Sequence, residues 1–233
     1  RNKTVIDLAP GQVHAITVFG PEVKASLAKR EGEWDLVEPF EDHADPETVN
    51  TFLEEAAGLK VSSFISDSPE SYSGYGLPEP DAPHVVEEGK YISVGEGTAM
   101  GRERIVHFGD EVAGAPGEVY ALVKGEPAVF TLPADNLADL FPRLSDFQAK
   151  QIVRMDTYAL KRITVSQGLK QVEFAKPDFD WQIVKPFEAP ADSAAVKELL
   201  GEFEEAEMVG FITAEADLAR YGLDVPRGSF SFV

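Results

Sequence analysis

Trp34–Ile65 reads WDLVEPFEDHADPETVNTFLEEAAGLKVSSFI, and Trp181–Ile212 reads WQIVKPFEAPADSAAVKELLGEFEEAEMVGFI. The two segments align without a gap, and twelve of their thirty-two positions are identical. Matching triplets lie on either side of them: Ile16-Thr17-Val18 with Ile163-Thr164-Val165, and Tyr75-Gly76-Leu77 with Tyr221-Gly222-Leu223. A repeat of this length indicates a duplicated structural unit.

The spacing of the repeat predicts the domain organisation. Trp34 and Trp181 are 147 residues apart, which sets the length of the repeating unit. We therefore predict a first, complete unit at residues 1–145 and a second, C-terminally incomplete unit at residues 146–233. At this spacing the second copy ends near the position that matches Val86. The alternating pattern SFSFV at residues 229–233 predicts a strand.

Each unit is predicted to open with a β-hairpin. The β-branched segments HAITVFG and KRITVSQG suit a pleated, half-buried surface. Hairpin turns are predicted at Arg30-Glu31-Gly32 and at Lys176-Pro177-Asp178. Pro39 and Pro186 should end the strands that follow, because proline cannot donate to a strand ladder.

An amphipathic helix is predicted to follow each hairpin. Asp45 and Asp192 stand at N-cap positions, and Pro46 stands at the first helical position of the first copy. The apolar residues then recur at helical spacing and predict one buried stripe in each helix: Val49, Phe52, Leu53 and Ala56, and Val196, Leu199, Leu200 and Phe203.

The rest of the first copy is rich in strand patterns. KYISVG, RERIVHFG, VYALVKG and AVFTLP alternate and are separated by glycine-containing turns, and a short helical segment follows at residues 134–141. The fold class is therefore predicted as α+β, a tandem repeat of a unit with antiparallel strands, one main amphipathic helix and a small second antiparallel sheet.

Composition excludes several classes of function. The 233 residues carry a net charge of −20, from 41 acidic and 21 basic residues. Such an acidic surface repels phosphate backbones, so we expect no nucleic-acid partner. The chain has no cysteine, which excludes disulfides, thiolate metal sites and cysteine nucleophiles. No apolar run reaches transmembrane length. Because the chain starts at Arg1, we expect that a leader, anchor or tag has been removed.

Two glycine and histidine patterns are candidates for a site. Gly95-Glu96-Gly97 with Gly101 gives a GxGxxxG string, but a strand pattern follows it and Glu96 is acidic, so a hairpin loop is favoured over a phosphate loop. The four histidines lack metal-binding spacing and are interpreted as surface or turn residues: His14, His43, His84 and His107.

Three further groups have structural explanations. Asp42, Asp45 and Glu47 lie at a helix start, where the helix dipole favours acidic residues. Trp34 and Trp181 are interpreted as core residues rather than binding platforms, because both copies keep them beside a Pro-Phe pair. A serine-rich stretch is interpreted as a connector: Ser63, Ser66, Ser68, Ser71 and Ser73. We predict no catalytic residue, no cofactor and no metal site.

The pattern W-x-[LI]-V-x-P-F, followed by A-D, Y-G-L and P, resembles a bacterial family of unknown function, DUF4340. The residues that carry it are Trp34, Pro39, Asp45, Tyr75-Gly76-Leu77 and Pro80 in the first copy, and Trp181, Pro186, Pro190-Ala191-Asp192, Tyr221-Gly222-Leu223 and Pro226 in the second. The strand-rich stretch HFGDEVAGAPGEVYALVKGEPAVFTLP is similar to the second half of that family. The first copy departs from it at Asp42-His43, where the second has Ala189-Pro190.

This resemblance implies a setting for the protein. Members of such a family carry one N-terminal membrane anchor and a repeated domain outside the cytoplasm, often encoded beside ABC-type transport components of the gliding-motility kind. The chain would then be the soluble, periplasmic or envelope part of an anchored protein, with envelope or ABC-transport membrane proteins as partners. No catalytic residue is established for the family, so none is carried over.

Three functions are compatible with these observations. The first is a non-catalytic extracytoplasmic binding or scaffold module, an accessory to an ABC-type transport complex. The second is a hydrolase with a carboxylate- or metal-based site between the units, which predicts converging acidic residues with perturbed pKa values. The third is an architectural spacer without a pocket.

Overall fold

The structure, a computed structural model, describes residues 2–82, 89–97, 102–135, 137–211 and 218–233. The chain divides into two compact units, unit 1 at Arg1–Ala149 and unit 2 at Lys150–Val233. Antiparallel strands form a sheet in each unit, and few residues are helical. The predicted α+β class is confirmed.

The strands of unit 1 form one antiparallel sheet. They are β1 (Val13–Gly20), β2 (Val23–Arg30), β3 (Glu33–Glu38), β4 (Asp42–His43), β5 (Ser63–Ser66), β6 (Lys90–Glu96), β7 (Arg102–Glu111), β8 (Glu118–Val123) and β9 (Val129–Pro133). Across the described residues their order in the sheet is β4-β3-β2-β1-β6-β7-β8-β9-β5. The predicted hairpin turn between β2 and β3 is confirmed, with Glu31 at φ 54° and Gly32 at φ 97°.

The prediction of a separate small sheet in the first copy is wrong. β6 pairs along β1, with Phe19 opposite Tyr91 and Val18 opposite Ile92, so β6 to β9 extend the first sheet. The physical reason is that β2 covers only one edge of β1. Pairing with β6 satisfies the backbone groups on the other edge, which a separate sheet would leave unpaired.

The main helix of unit 1, α1 (Pro46–Gly58), begins as predicted. A side-chain oxygen of Asp45 accepts a hydrogen bond from the backbone N–H of Thr48 at 2.8 Å. The predicted apolar stripe is buried, and Phe52 packs edge-to-face on Phe147 at 6.3 Å between ring centroids. Phe147 ends the short helix α3 (Leu144–Phe147), which follows α2 (Leu137–Leu140). The buried stripe of α1 is therefore part of the main hydrophobic core of unit 1.

Unit 2 has a smaller sheet and one main helix. Its elements are β10 (Arg162–Gln167), β11 (Lys170–Ala175), β12 (Gln182–Lys185), β13 (Ala189–Pro190), α4 (Ser193–Glu205) and β14 (Ser229–Phe232). Across the described residues the strand order is β13-β12-β11-β10-β14. Asp192 caps α4 as predicted, accepting from the N–H groups of Ala194 and Ala195. The core is small: Leu160, Ile163, Trp181, Val196 and Leu200.

Several predicted local features are present in both units. β3 and β12 end before Pro39 and Pro186, as predicted, and both prolines follow cis peptide bonds. The departure at Asp42-His43 and Ala189-Pro190 does not change the backbone, because both pairs form two-residue strands on the edge of their sheets. Within the described residues, no helix is long and apolar enough to cross a bilayer.

Candidate functional site

The Tyr-Gly-Leu turn of unit 1 has a defined backbone. A single 3₁₀ turn spans Ser73–Tyr75, and Gly76 follows at φ 67°, a left-handed conformation that favours glycine. The N–H of Leu77 then donates to the carbonyl of Tyr72 at 3.3 Å and closes the turn.

Strands β7, β8 and β9 cover this turn. The backbone of Tyr75 lies directly on Gly109 of β7, where a Cβ atom would overlap the Tyr75 carbonyl oxygen. The Asp110 carboxyl group lies 2.6 Å from the place of a Cβ on Gly76. The Tyr120 ring of β8 packs edge-to-face on Tyr75, with centroids 4.9 Å apart. Tyr72, Leu77, Leu122 and Val129 form a hydrophobic cluster beneath.

Unit 2 builds the same turn without this cover. A 3₁₀ turn spans Leu218–Tyr221, Gly222 has φ 68°, and the N–H of Leu223 donates to the carbonyl of Leu218 at 2.9 Å. Leu218 and Leu223 are 52% and 57% exposed, whereas Tyr72 and Leu77, at the matching positions, are 4% and 5% exposed. We call Leu218, Tyr221 and Leu223 the Tyr-Gly-Leu surface.

The edge strand β14 forms a second open feature of unit 2. Over the described residues it pairs with β10 alone and stands at the end of the sheet. Its sequence, SFSF, has neither a charged residue nor a proline, the devices that keep an edge strand from pairing with another chain. The Phe203 ring of α4 packs on Phe230 and Phe232 from one face.

Unit 2 also contains a groove of about 390 Å³ beside Trp181. Trp181 and Trp34 are 6% and 7% exposed and belong to the cores of their units, so the predicted core role is confirmed. Exposed Tyr158 and Phe179 flank the groove. Its other lining residues are Thr157, Lys176, Ser193, Lys197, Leu200, Gly201 and Glu204. Two cations, aromatic walls and a single carboxylate suit binding of an anionic group better than general acid–base chemistry.

The glycine string lies in a β-hairpin as far as the structure describes it. Gly95 and Glu96 are part of β6, and Glu96 pairs with Arg102 of β7. A strand rather than a helix follows, so the interpretation as a hairpin is confirmed and a helix N-terminus for phosphate is absent from this described segment. Gly101 lies outside the described residues.

The histidines do not form a cluster in the described part of the chain. His14 contacts the carbonyl of Gln12, and Nδ1 of His43 is hydrogen-bonded to the Asp35 carboxylate at 2.9 Å. His107 lies buried in β7 beside the Tyr91 ring, so its interpretation as a surface or turn residue is wrong. His84 is outside the described residues. Among the described residues no three His, Asp or Glu side chains are arranged to hold a metal ion.

The acidic and serine groups have structural roles. Asp45 caps α1 and Glu47 lies in its first turn, while Asp42 accepts a hydrogen bond from Gln148 at 3.0 Å. The prediction that the serine stretch is a connector is wrong in part, because Ser63 and Ser66 lie in β5, which pairs with β9. The side chains of Ser71 and Ser73 contact each other at 2.9 Å. Ser68 lines a shallow groove with Pro69 and Tyr72.

Glu173 is a buried carboxylate of unit 2. A hydrogen bond from Lys185, at 2.8 Å, lowers the pKa of Glu173, and the positive charges of Lys185 and Arg162 act in the same direction. Ser26 and Glu38 occupy the matching positions in unit 1, where the Ser26 hydroxyl donates to Glu38 at 3.1 Å. The ion pairs of Glu173 with Lys185 and Arg162 link neighbouring strands, and they account for the buried carboxylate without a catalytic role.

Sequence reasoning missed Gly109 and the strands around it as the partner of the Tyr-Gly-Leu turn. A signal was present, because a glycine inside the strand pattern RERIVHFGDE indicates a close approach of another backbone.

Sheets, caps and turns thus define an α+β protein with one closed and one open Tyr-Gly-Leu turn. The chain belongs to the family described as a domain of unknown function, DUF4340, whose model matches residues 34–226. None of the curated proteins and none of the solved structures matches the chain.

Proposed function

We propose that this chain is a non-catalytic binding module, built from two copies of one scaffold, and that unit 2 carries the surface that binds a partner protein. The observation that carries the proposal is the exposure of Leu223, 57%, at the position where unit 1 buries Leu77 to 5%. An apolar turn that is preformed and uncovered is typical of an interaction surface.

The duplication is supported by paired details in the two units. Both have a capped helix after a cis-proline, and in both a lysine lies 5.9 Å from the ring of the tryptophan: Lys29 over Trp34 and Lys176 over Trp181. Isolated bridges also match, Thr4 with Lys60 and Gln151 with Glu207.

We further propose that the module acts outside the cytoplasm, in the periplasm or cell envelope, as the soluble part of an anchored protein. Its partner in this proposal is an envelope protein associated with an ABC-type transport complex. Membership of DUF4340 and the features of the family are the support for this part.

Site-specific photo-crosslinking tests the proposal. A photoreactive amino acid at position 223 of the anchored protein, in its own membranes, is expected to give one discrete adduct with an envelope or ABC-transport protein, identified by mass spectrometry. The same amino acid at position 169, a fully exposed site in the β10–β11 turn, is the matched control and should give no such adduct. Position 77 should also give none, because it is buried.

Adducts that are the same at positions 169 and 223, or no adduct at position 223, would contradict partner binding by this surface.

A further inference from the structure

The groove beside Trp181 has aromatic side chains at positions where unit 1 has glycine. At the 147-residue offset of the repeat, Tyr158 corresponds to Gly11. Phe179 corresponds to Gly32 at the same offset. Both rings of unit 2 are almost fully exposed. The shared scaffold therefore does not require these two aromatic side chains, since unit 1 is built without them.

Gly201 leaves open space along the helix that lines this groove. It lies inside α4, where glycine lowers helix stability relative to alanine, and unit 1 has Glu54 at the matching position. A Cβ atom on Gly201 would meet no atom within 4 Å, so packing does not require glycine there. The missing side chain instead widens the groove beside Leu200 and Trp181.

The groove carries a positive charge in an acidic protein. Lys176 and Lys197 line it with the carboxylate of Glu204, whereas the whole chain has a net charge of −20. Neither lysine forms an ion pair within the described residues. Unit 1 has Asn50 in place of Lys197, so the second cation is particular to unit 2. Two ammonium groups without a carboxylate partner favour an anion in this groove.

The groove follows one face of α4, on which Lys197 and Gly201 lie one helical turn apart. In unit 1, the short helix α3 packs on α1 through Phe147 and Phe52. Leu199 matches Phe52 and is not among the residues that line the groove. The groove is therefore separate from the helix face that unit 1 uses for this packing, and it shares no residue with the Tyr-Gly-Leu surface.

We propose that this groove is a binding site for a small molecule that carries an aromatic ring and one anionic group. Its volume, about 390 Å³, falls in the range of small-molecule pockets, about 300 to 1,000 Å³. The ring of the ligand lies in the space beside Gly201 and packs against Tyr158 and Phe179. Lys176 and Lys197 bind its anionic group. This site goes beyond the proposed function, because it requires no partner protein.

Titration with 1-naphthyl phosphate, followed by NMR of the complete chain, tests this site. The indole N–H signal of Trp181 and the amide signal of Gly201 are expected to shift saturably. The indole signal of Trp34 is the internal control and should not move, because unit 1 lacks both aromatic side chains and the second lysine. 1-Naphthol has the ring without the anion, and inorganic phosphate has the anion without the ring. Each should bind at least about tenfold more weakly.

Variants of the groove form the second part of the test. Gly201→Glu introduces the residue type that unit 1 has, fills the groove and adds a carboxylate, so 1-naphthyl phosphate should bind at least about tenfold more weakly. The variant is expected to stay folded, because glutamate favours a helix more than glycine does. Lys197→Gln should weaken binding about fivefold. Lys170→Gln, at an exposed lysine of β11 outside the groove, is the matched control and should leave binding unchanged.

Equal binding of 1-naphthyl phosphate by the parent chain and by Gly201→Glu would overturn the proposal, as would the lack of a saturable shift at Trp181. Equal shifts of the two indole signals, or equal affinity for 1-naphthol, would overturn it by showing apolar adsorption without a site for an anion. None of these results depends on the crosslink at position 223, so failure of this site and failure of the proposed function are distinguishable.

Discussion

Unit 1 and unit 2 contain the same Tyr-Gly-Leu turn in opposite surroundings. The backbone agrees closely, with Gly76 at φ 67° and Gly222 at φ 68°. In unit 1 the turn lies under β7, β8 and β9, and in unit 2 its leucine is more than half exposed. The turn therefore does not need covering strands to adopt its conformation, because local hydrogen bonds close it in both units. Cover adds burial and therefore stability.

The largest expected effect is that of Gly109→Ala. The new methyl group overlaps the carbonyl oxygen of Tyr75, so the turn or the strand must move. We expect unit 1 to lose about 3 to 4 kcal/mol of unfolding free energy. Hydrogen exchange of α1, read separately from α4, measures this loss in unit 1.

Gly95→Ala is the matched control in the neighbouring strand. An added Cβ there makes an ordinary contact with Ala15 at 3.5 Å, so the change in stability should stay below about 1 kcal/mol. Equal losses from the two alanine variants would show that β7 does not carry the turn of unit 1.

The second prediction compares the two leucines directly. Leu77→Ala removes a side chain that is 5% exposed and is expected to cost about 3 kcal/mol, whereas Leu223→Ala removes one that is 57% exposed and should cost less than about 1 kcal/mol. Denaturant unfolding monitored by hydrogen exchange in each unit gives both values. Losses of similar size would remove the distinction between a closed and an open turn.

The helix caps should behave alike, in contrast to the turns. Asp45 accepts a hydrogen bond from Thr48, and Asp192 accepts from Ala194 and Ala195. We expect Asp45→Ala and Asp192→Ala to cost about 1 kcal/mol each, in unit 1 and unit 2 respectively. Replacement by asparagine instead of alanine should retain most of the stability. If the asparagine variant is as unstable as the alanine variant, the contribution came from the carboxylate charge and not from the cap.

Acid should weaken unit 2 through Glu173. Its pKa is lowered in the folded state by Lys185 and Arg162, so its contribution is present above the unfolded pKa and is lost as pH falls through the folded value. Glu173→Gln should therefore reduce the loss of unit 2 stability on acidification from neutral pH. Glu198→Gln, at an exposed position of α4, serves as control and should keep the dependence of the parent chain.

The repeated segment predicted the local structure because its determinants are local. Pro39 and Pro186 ended strands, Asp45 and Asp192 capped helices, and the apolar stripe of α1 was buried. These outcomes depend on proline chemistry, capping and periodicity, which act within a few residues. These features could therefore be predicted from the sequence alone.

The pairing of strands that are distant in the sequence was harder to predict. The single sheet of unit 1 depends on the pairing of β6 with β1, and no residue in either strand indicates that these two strands pair. β14 pairs like β6, although the aligned repeat ended near Val86, because the link after Tyr-Gly-Leu is much shorter in unit 2 and identity is lost across it.

The open surface was the least predictable feature. Tyr221-Gly222-Leu223 and Tyr75-Gly76-Leu77 are identical in sequence, so nothing within the motif distinguishes an exposed leucine from a buried one. Their burial depends on strands elsewhere in the chain. Gly109 was the one residue whose position inside a strand indicated the contact.

The most direct test of this account is a comparison of thiol reactivity at the two leucine positions. The chain has no cysteine, so Leu77→Cys and Leu223→Cys each introduce a single thiol into an otherwise unreactive protein. We predict that the thiol at position 223 reacts with a maleimide at least about a hundredfold faster, because the thiol at position 77 must wait for local opening. Equal reaction rates at the two positions would contradict the claim that one turn is closed and the other open.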